Sequence, residues 1–370
     1  MNNILHIGII GAGSFAAFAA KAFLKIEGVK IIAVSDVNEL AGNQFANTLN
    51  AKFYTDYEML LEDKQVDLVY IATPPFLHYK MSEKSLFAGK HVICEKPAAL
   101  KTAETEELQA LAKDRDLLFL VNLMQRYNPL YDVIKKIIDE KIMGNFLHGF
   151  FENYASDENL NEDHWFWDEE KSGGIFIEHG VHFFDLFSGW LGKGKVENAL
   201  AISRKNVEKE IYDRVQASVL YDGGIVNFYH GFDQPKILDR QEMRLQFERG
   251  EISLYEWIPV RMKLHGLFKN DQLEKLKELI GYCSIIKHSA DDSEKKVKGR
   301  FTEIVFNEEV TIESGNKNEK ESRYQQMLTD TLIDQWNWIK DRNHQRIITD
   351  ENAVESLKMA ECATEIAQRF

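Results

Sequence analysis

Gly11-Ala12-Gly13-Ser14-Phe15-Ala16 sets two glycines and an alanine at G-x-G-x-x-A spacing, directly after an apolar run and directly before a stretch with helical periodicity. Such a loop brings bare backbone N–H groups and the positive end of a helix against phosphate. Gly11 permits the tight turn and Gly13 lets the main chain approach a pyrophosphate. Ser14 and Phe15 open the helix, and Ala16 keeps it close to the strand. Asp36 closes the next β-branched run, where a carboxylate can accept hydrogen bonds from adenosine ribose hydroxyls. A 2′-phosphate would collide with that charge, and Val37 and Asn38 supply no cation to receive one, so the site reads as NAD-binding with NADP disfavoured. A turn-forming aspartate would account for Asp36 alone, but its place after the glycine loop favours the ribose role. Two further passages, Ala72-Thr73-Pro74-Pro75-Phe76-Leu77-His78 and Glu95-Lys96-Pro97, stand at the ends of the strand candidates 66 to 72 and 91 to 94. Open parallel sheets bind ligands at the carboxyl ends of their strands, which places Thr73, Pro74, His78, Glu95 and Lys96 on the cofactor edge.

The elements that must carry these residues are legible as apolar runs. Ile4 to Ile10, Lys30 to Val34, Val66 to Ala72, His91 to Cys94 and Leu117 to Val121 read as buried strands, and 14 to 25, 77 to 88 and 102 to 114 as helices. Strands buried on both faces and separated by helices predict an α/β Rossmann domain with a doubly wound parallel sheet over residues 1–124. After Asn128 and Pro129 a helix over 130 to 140 leads into β-rich segments at 146 to 154, 196 to 205, 213 to 221, 225 to 233, 241 to 247 and 251 to 256. These predict a C-terminal α+β domain, 125–370, with a large, mostly antiparallel open sheet and a helical stretch at 174 to 191. The densely charged 266 to 300 segment reads as a partly helical insertion ending in a solvated loop, Ser289 to Arg300, and two helices, 321 to 341 and 351 to 368, close the chain.

Composition narrows the partners. The chain of 370 residues is 44% hydrophobic, enough for two packed domains, and its 45 Lys and Arg against 59 Asp and Glu give a net charge of −14. That field repels phosphate backbones and anionic lipid, so neither nucleic acid nor membrane is expected. Cys94, Cys283 and Cys362 are isolated thiols with no C-x-x-C arrangement, which fits a reducing, cytoplasmic compartment. Ile4 to Leu24 is apolar but lacks a cation before Lys21 and is broken by Gly8, Gly11 and Gly13, so a strand turning into a helix explains it better than a signal or anchor.

The glycine loop, Ala72-Thr73-Pro74, Gly89-Lys90-His91-Val92, Glu95-Lys96-Pro97 and the segment Gly173-Gly174-Ile175-Phe176-Ile177-Glu178-His179-Gly180-Val181-His182-Phe183-Phe184-Asp185, in this order, resemble the glucose-fructose oxidoreductase and inositol dehydrogenase (Gfo/Idh/MocA) family. The resemblance covers most of the chain and weakens between about 255 and 320. It implies a two-domain dehydrogenase, with Lys96 beside the nicotinamide, His182 exchanging a proton with substrate, and a cis Lys96-Pro97 bond. Hydride transfer from a secondary alcohol needs a cation and a proton acceptor converging on one oxygen, which an ammonium and an imidazole supply. Glu178 lies four residues before His182 and could orient it or relay its proton, although the family usually has aspartate there. Glu178 with His179 and His182 makes no metal site without a further ligand. Arg126 and Tyr127 resemble the family's polar segment after the sixth strand, and Trp167, within His164-Trp165-Phe166-Trp167, could wall a sugar-like ring; with His179 these are the substrate-side candidates.

The expected activity is NAD-dependent interconversion of a secondary alcohol and a ketone on a sugar, cyclitol or related polyol. Two alternatives stand beside it: a redox-neutral NAD-dependent glycosidase or lyase on the same scaffold, and a non-catalytic NAD-binding sensor. Pairing through the exposed sheet face, as family members do, would give a homodimer or homotetramer.

Overall fold

A computed structural model of the chain describes residues 4–157, 160–204, 209–299 and 302–370. Two compact units divide it: Met1–Tyr127, Glu162–Asp185 and Tyr324–Glu365 form the first, and Asn128–Asn161, Leu186–Arg323 and Ile366–Phe370 the second.

In the first unit, β1 (Leu5–Ile10), β2 (Val29–Ser35), β3 (Lys52–Tyr54), β4 (Leu68–Ile71), β5 (His91–Cys94) and β6 (Phe119–Val121) form one parallel sheet in the order β3-β2-β1-β4-β5-β6. Helices α1 (Ser14–Phe23), α2 (Glu39–Leu49), α3 (Tyr57–Leu61), α4 (His78–Phe87) and α5 (Thr102–Asp114) connect the strands. Every residue of β4 is buried, as are Ile7, Ile9, Ala33, Val34 and Val92, which is why these strands read as continuous apolar runs rather than alternating ones. Strand order reverses between β1 and β4, the topological switch point where such sheets bind ligands. Ile10 pairs with both Ser35 and Ile71, and Ile71 with Cys94, so the loops after β1, β2, β4 and β5 leave the sheet along one edge. The short elements β3, α2 and α3 were not legible in the sequence, because three to eleven residues with few buried positions leave no clear period.

The second unit is built on a ten-stranded sheet in which all neighbours are antiparallel except two pairs. Helix α6 (Pro129–Asp139) precedes its strands, which include β7 (Phe146–Tyr154), β8 (Lys195–Ser203), β9 (Tyr212–Tyr221), β10 (Gly224–Gly231), β11 (Arg240–Phe247), β12 (Gly250–Tyr255), β13 (Arg261–Phe268) and β14 (Ser284–Lys287). On β9, Val215, Ala217, Val219 and Tyr221 are buried while Gln216 and Leu220 are exposed, the period-two signature of a sheet covered on one face. Phe187 packs edge-on against Phe228 with ring centroids 5.1 Å apart, filling the covered face.

The 266 to 300 segment bears out the helical part of its sequence reading, in Asn270–Ile280, and departs from it in the rest. Residues 266 to 268 complete β13, β14 joins the sheet edge, and Lys295–Lys298 is a strand, β15, paired in a hairpin with β16 (Glu303–Phe306). Charged strands on a sheet's edge present most side chains to water, so their composition mimics a loop. Arg300, the last residue of the predicted loop, lies outside the described residues.

Three histidines are held neutral. Burial drives His182 and His230 down to about 3, and His91 to about 4 with help from Arg342, against an ordinary value of 6.5. The unfolded chain takes up these protons as the pH falls through 6.5 while the fold does not, so their stabilisation is complete above 6.5 and is lost as pH drops toward 3. Urea midpoints measured from pH 7 to 4 are expected to fall less steeply for His230→Gln than for the wild type. Parallel profiles would contradict this.

Candidate active site

The glycine loop is shaped by two different constraints. Gly11 has φ of +101°, and a Cβ there would stand 2.5 Å from the Ala72 carbonyl oxygen, so the turn admits glycine for internal steric reasons. Gly13 precedes α1, no side chain caps that helix, and a Cβ at Gly13 would meet no atom within 4 Å. Nothing inside the fold demands glycine there; a phosphate approaching the helix N-terminus would. Asp36 binds the loop itself: Oδ2 accepts from the Ala12 N–H at 2.7 Å and Oδ1 from the Asn38 N–H at 2.7 Å. A carboxylate has about four acceptor positions, so both oxygens keep lone pairs that ribose hydroxyls could use. These residues fit a pyridine dinucleotide.

Glu95, Lys96 and Pro97 follow β5, and the Lys96-Pro97 peptide is cis. Glu95 is fastened from below: its Oε1 accepts from the Tyr70 hydroxyl and from Asn122 Nδ2 at 2.8 Å. Neither partner carried a sequence signal beyond a polar-tipped tyrosine in a wholly buried strand. Lys96 Nζ donates to the Glu178 carbonyl at 2.6 Å and forms an ion pair with Glu178 Oε1, the two side chains being 17% and 11% exposed.

Glu178 reaches Lys96 because of the backbone that carries it. Gly173 and Gly174 have φ of +77° and +86°, left-handed conformations that turn the chain out of the short helix α7 (Glu169–Ser172). A single π-helical turn, Phe176–Gly180, follows and runs into α8 (Val181–Leu191), whose residues through Asp185 belong to this unit. Such π turns concentrate at functional sites. His182, in the first turn of α8, is 5% exposed, and its low pKa arises from burial first and the Lys96 ammonium second. The Lys96 cation and a neutral imidazole thus lie in one electrostatic neighbourhood, with Glu178 bonded to the lysine.

His78 opens α4 and is 1% exposed, with Nδ1 2.6 Å from the Pro97 carbonyl and Nε2 2.7 Å from the Thr73 carbonyl. Pro74 leads the single 3₁₀ turn between β4 and α4. Among the substrate-side candidates, Arg126 forms a bidentate pair with Asp185, Nε to Oδ2 at 2.9 Å and Nη2 to Oδ1 at 2.7 Å. Tyr127 donates to Asp334 Oδ2 at 2.6 Å, and Asp334 also contacts His344 Nε2 at 2.6 Å. Both candidates are therefore engaged inside the unit. Trp167 is buried and packs edge-on against Phe166, and the half-buried His179 ring lies 5.2 Å from that of Phe183. Among the described residues no three His, Cys, Asp or Glu side chains are grouped to hold a metal ion, and no helix is long and apolar enough to cross a membrane.

Comparison with known proteins bears on this arrangement. The model of an oxidoreductase family with an NAD-binding Rossmann fold, GFO_IDH_MocA, matches residues 5–123, and that of the GFO/IDH/MocA C-terminal domain matches 131–253. An oxidoreductase of Formosa agariphila is 31% identical over 260 residues, 68% of this chain and 80% of that protein. The scyllo-inositol 2-dehydrogenase (NAD(+)) of Bacillus subtilis is 27% identical over 195 residues, 52% of this chain and 55% of that protein, and the chain spans about half the length of several other curated relatives it matches. The WlbA dehydrogenase of Bordetella pertussis, solved with NADH and UDP-GlcNAcA, shares the fold with a TM-score of 0.76 at 16% identity, covering 98% of this chain and 96% of that one. With both family models matched in order along the chain and the glycine loop set at the switch point of its parallel sheet, this protein belongs to the Gfo/Idh/MocA family of NAD(P)-binding oxidoreductases.

Proposed function

We propose that the protein interconverts a secondary alcohol and a ketone on a sugar, cyclitol or related polyol, with NAD preferred over NADP and with Lys96 and His182 handling the proton. The observation that carries this reading is the convergence of a partly buried ammonium, oriented by Glu178, with an imidazole that burial keeps neutral. The inositol dehydrogenase among the relatives supports the substrate class.

Gly11, Gly13, Ser14, Phe15 and Ala16 would receive the pyrophosphate, Asp36 the adenosine ribose, and Thr73, Pro74 and Lys96 would flank the nicotinamide. When bound, the nicotinamide supplies the hydride acceptor or donor. Lys96 then stabilises negative charge as it develops on the reacting oxygen, a role suited to an ammonium 17% exposed, where screening by water is weak. His182, neutral throughout the ordinary pH range, carries a lone pair able to accept the hydroxyl proton. Glu178 acts on Lys96: two acceptors from one residue fix the ammonium's direction. In this reading residues 1–124 bind the nucleotide, and 125–370 provide substrate contacts and, through the open sheet face, a homodimer or homotetramer; the isolated thiols suit the cytoplasm.

The test is absorbance at the reduced-nicotinamide band with NAD and a panel of sugars, cyclitols and their keto forms. Turnover on at least one polyol, with a higher kcat/KM for NAD than for NADP, is the expected result. Silence across the panel from protein shown calorimetrically to bind NADH would overturn the alcohol–ketone assignment. Cofactor released stoichiometrically on denaturation, with turnover needing none added, would instead favour the redox-neutral elimination.

A further inference from the structure

His78 joins the two cofactor-edge passages, and the chemistry of its contacts limits its protonation state. Its Nδ1 lies 2.6 Å from the carbonyl oxygen of Pro97, the residue after Lys96, and its Nε2 lies 2.7 Å from the carbonyl oxygen of Thr73. Both partners are acceptors only. A neutral imidazole carries one N–H in either tautomer, so one of these contacts would set a ring lone pair against a carbonyl lone pair well inside ordinary hydrogen-bond distance. Only the imidazolium donates to both.

We propose that His78 is a buried imidazolium that ties the carbonyl of Thr73 to that of Pro97 and thereby positions Lys96 at the end of β5. His78 is a positioning residue, acting on the reacting centre through the peptide that carries Lys96, and its role there rests on the alcohol–ketone reading above.

The charged groups around the ring pull in both directions. Burial is the largest single influence and, with the Lys96 ammonium, draws the ring below its ordinary value, while the two carbonyls and the Glu178 carboxylate favour the cation. Burial weighs most when an ion has no partners, and here each N–H of the imidazolium has its own acceptor, with a carboxylate nearby to balance the charge. A neutral ring would escape the cost of burying charge but leave a carbonyl, buried at Pro97 or half-buried at Thr73, facing a lone pair. The contacts therefore decide for the cation. The arrangement also explains why a histidine stands here: no neutral side chain of this size donates from two opposite edges.

The test is long-range ¹H–¹⁵N correlation NMR on the full-length protein labelled with ¹⁵N-histidine, the His78 signals being identified by their loss in His78→Asn. At pH 7 both His78 ring nitrogens are expected to show the protonated signature. One protonated and one bare nitrogen would overturn the proposal. Should His78→Asn fail to fold, the remaining single-histidine variants identify the His78 signals by elimination.

A second readout separates positioning from mere support. Where His78→Asn folds, kcat is expected to fall roughly tenfold to a hundredfold, in line with small misplacements at reacting centres, with NADH affinity within a few-fold of wild type. The wild-type rate is expected to decline as rising pH removes the second N–H, a step the variant lacks. A kcat unchanged in the variant, or identical pH profiles, would refute the positioning role. The ring-nitrogen spectra need no turnover, so failure of the alcohol–ketone assignment leaves the protonation result standing, and the two failures are distinguishable.

Discussion

Replacing Lys96 with methionine is expected to lower kcat by about 10²- to 10³-fold, the cost of removing one preorganised donor from a developing oxyanion, while NADH binds within about threefold of wild type. The distinction follows from where the side chain sits. Lys96 leaves the end of β5 and is held by Glu178, whereas the glycine loop and Asp36 lie after β1 and β2. Methionine keeps the length and removes only the charge and its N–H donors. That loss leaves the Glu178 carboxylate, 11% exposed, without its counter-ion, and a stranded buried charge costs on the order of 3–5 kcal/mol. A double variant, Lys96→Met with Glu178→Gln, is therefore expected to regain most of the thermal stability and none of the activity. Stopped-flow hydride transfer and thermal unfolding on the three proteins check both halves. Full recovery of turnover in the double variant, or undiminished kcat in the single one, would remove Lys96 from the chemistry.

The second large effect concerns cofactor choice. Asp36→Ser is expected to weaken NAD binding by about 10- to 100-fold, as expected from losing one or two hydrogen bonds to a charged acceptor at about 1.5–3 kcal/mol each. NADP should lose little or gain, because the charge that collides with a 2′-phosphate is gone, so the NAD to NADP preference should shift by about two orders of magnitude. Asp36 also accepts from the N–H groups of Ala12 and Asn38, so part of the loss would come from a loosened loop. Asp36→Asn separates the two: its amide oxygen can still brace one N–H, but it no longer carries the charge. Titration calorimetry with both nucleotides on wild type and both variants is the measurement. An unchanged preference would mean that Asp36 serves the loop alone.

Much of this site was readable along the chain because its parts are local. A G-x-G-x-x-A loop between an apolar run and a helix is a contiguous motif, and its function depends on φ angles and on the helix N-terminus that the same dozen residues build. The parallel sheet was equally legible, since strands buried on both faces must be apolar throughout. The strands β14 to β16 were not, because a charged edge strand and an exposed hairpin share their composition with loops.

Residue type at short spacing was enough for the fold class and the nucleotide loop, whereas the roles proposed for Lys96 and His182 came from the family resemblance. How the site residues are held emerges only in the folded chain: Glu178 on Lys96 across 82 positions, His78 between two carbonyls, Tyr70 and Asn122 beneath Glu95, and Asp185 and Asp334 engaging Arg126 and Tyr127. The physical reason is that a hydrogen bond or an ion pair depends on distance in space, and residues far apart in the chain meet only after strand register and helix packing have been chosen. Spacing along the chain can nominate a reactive group, but its charge state and direction belong to the neighbours that folding brings to it.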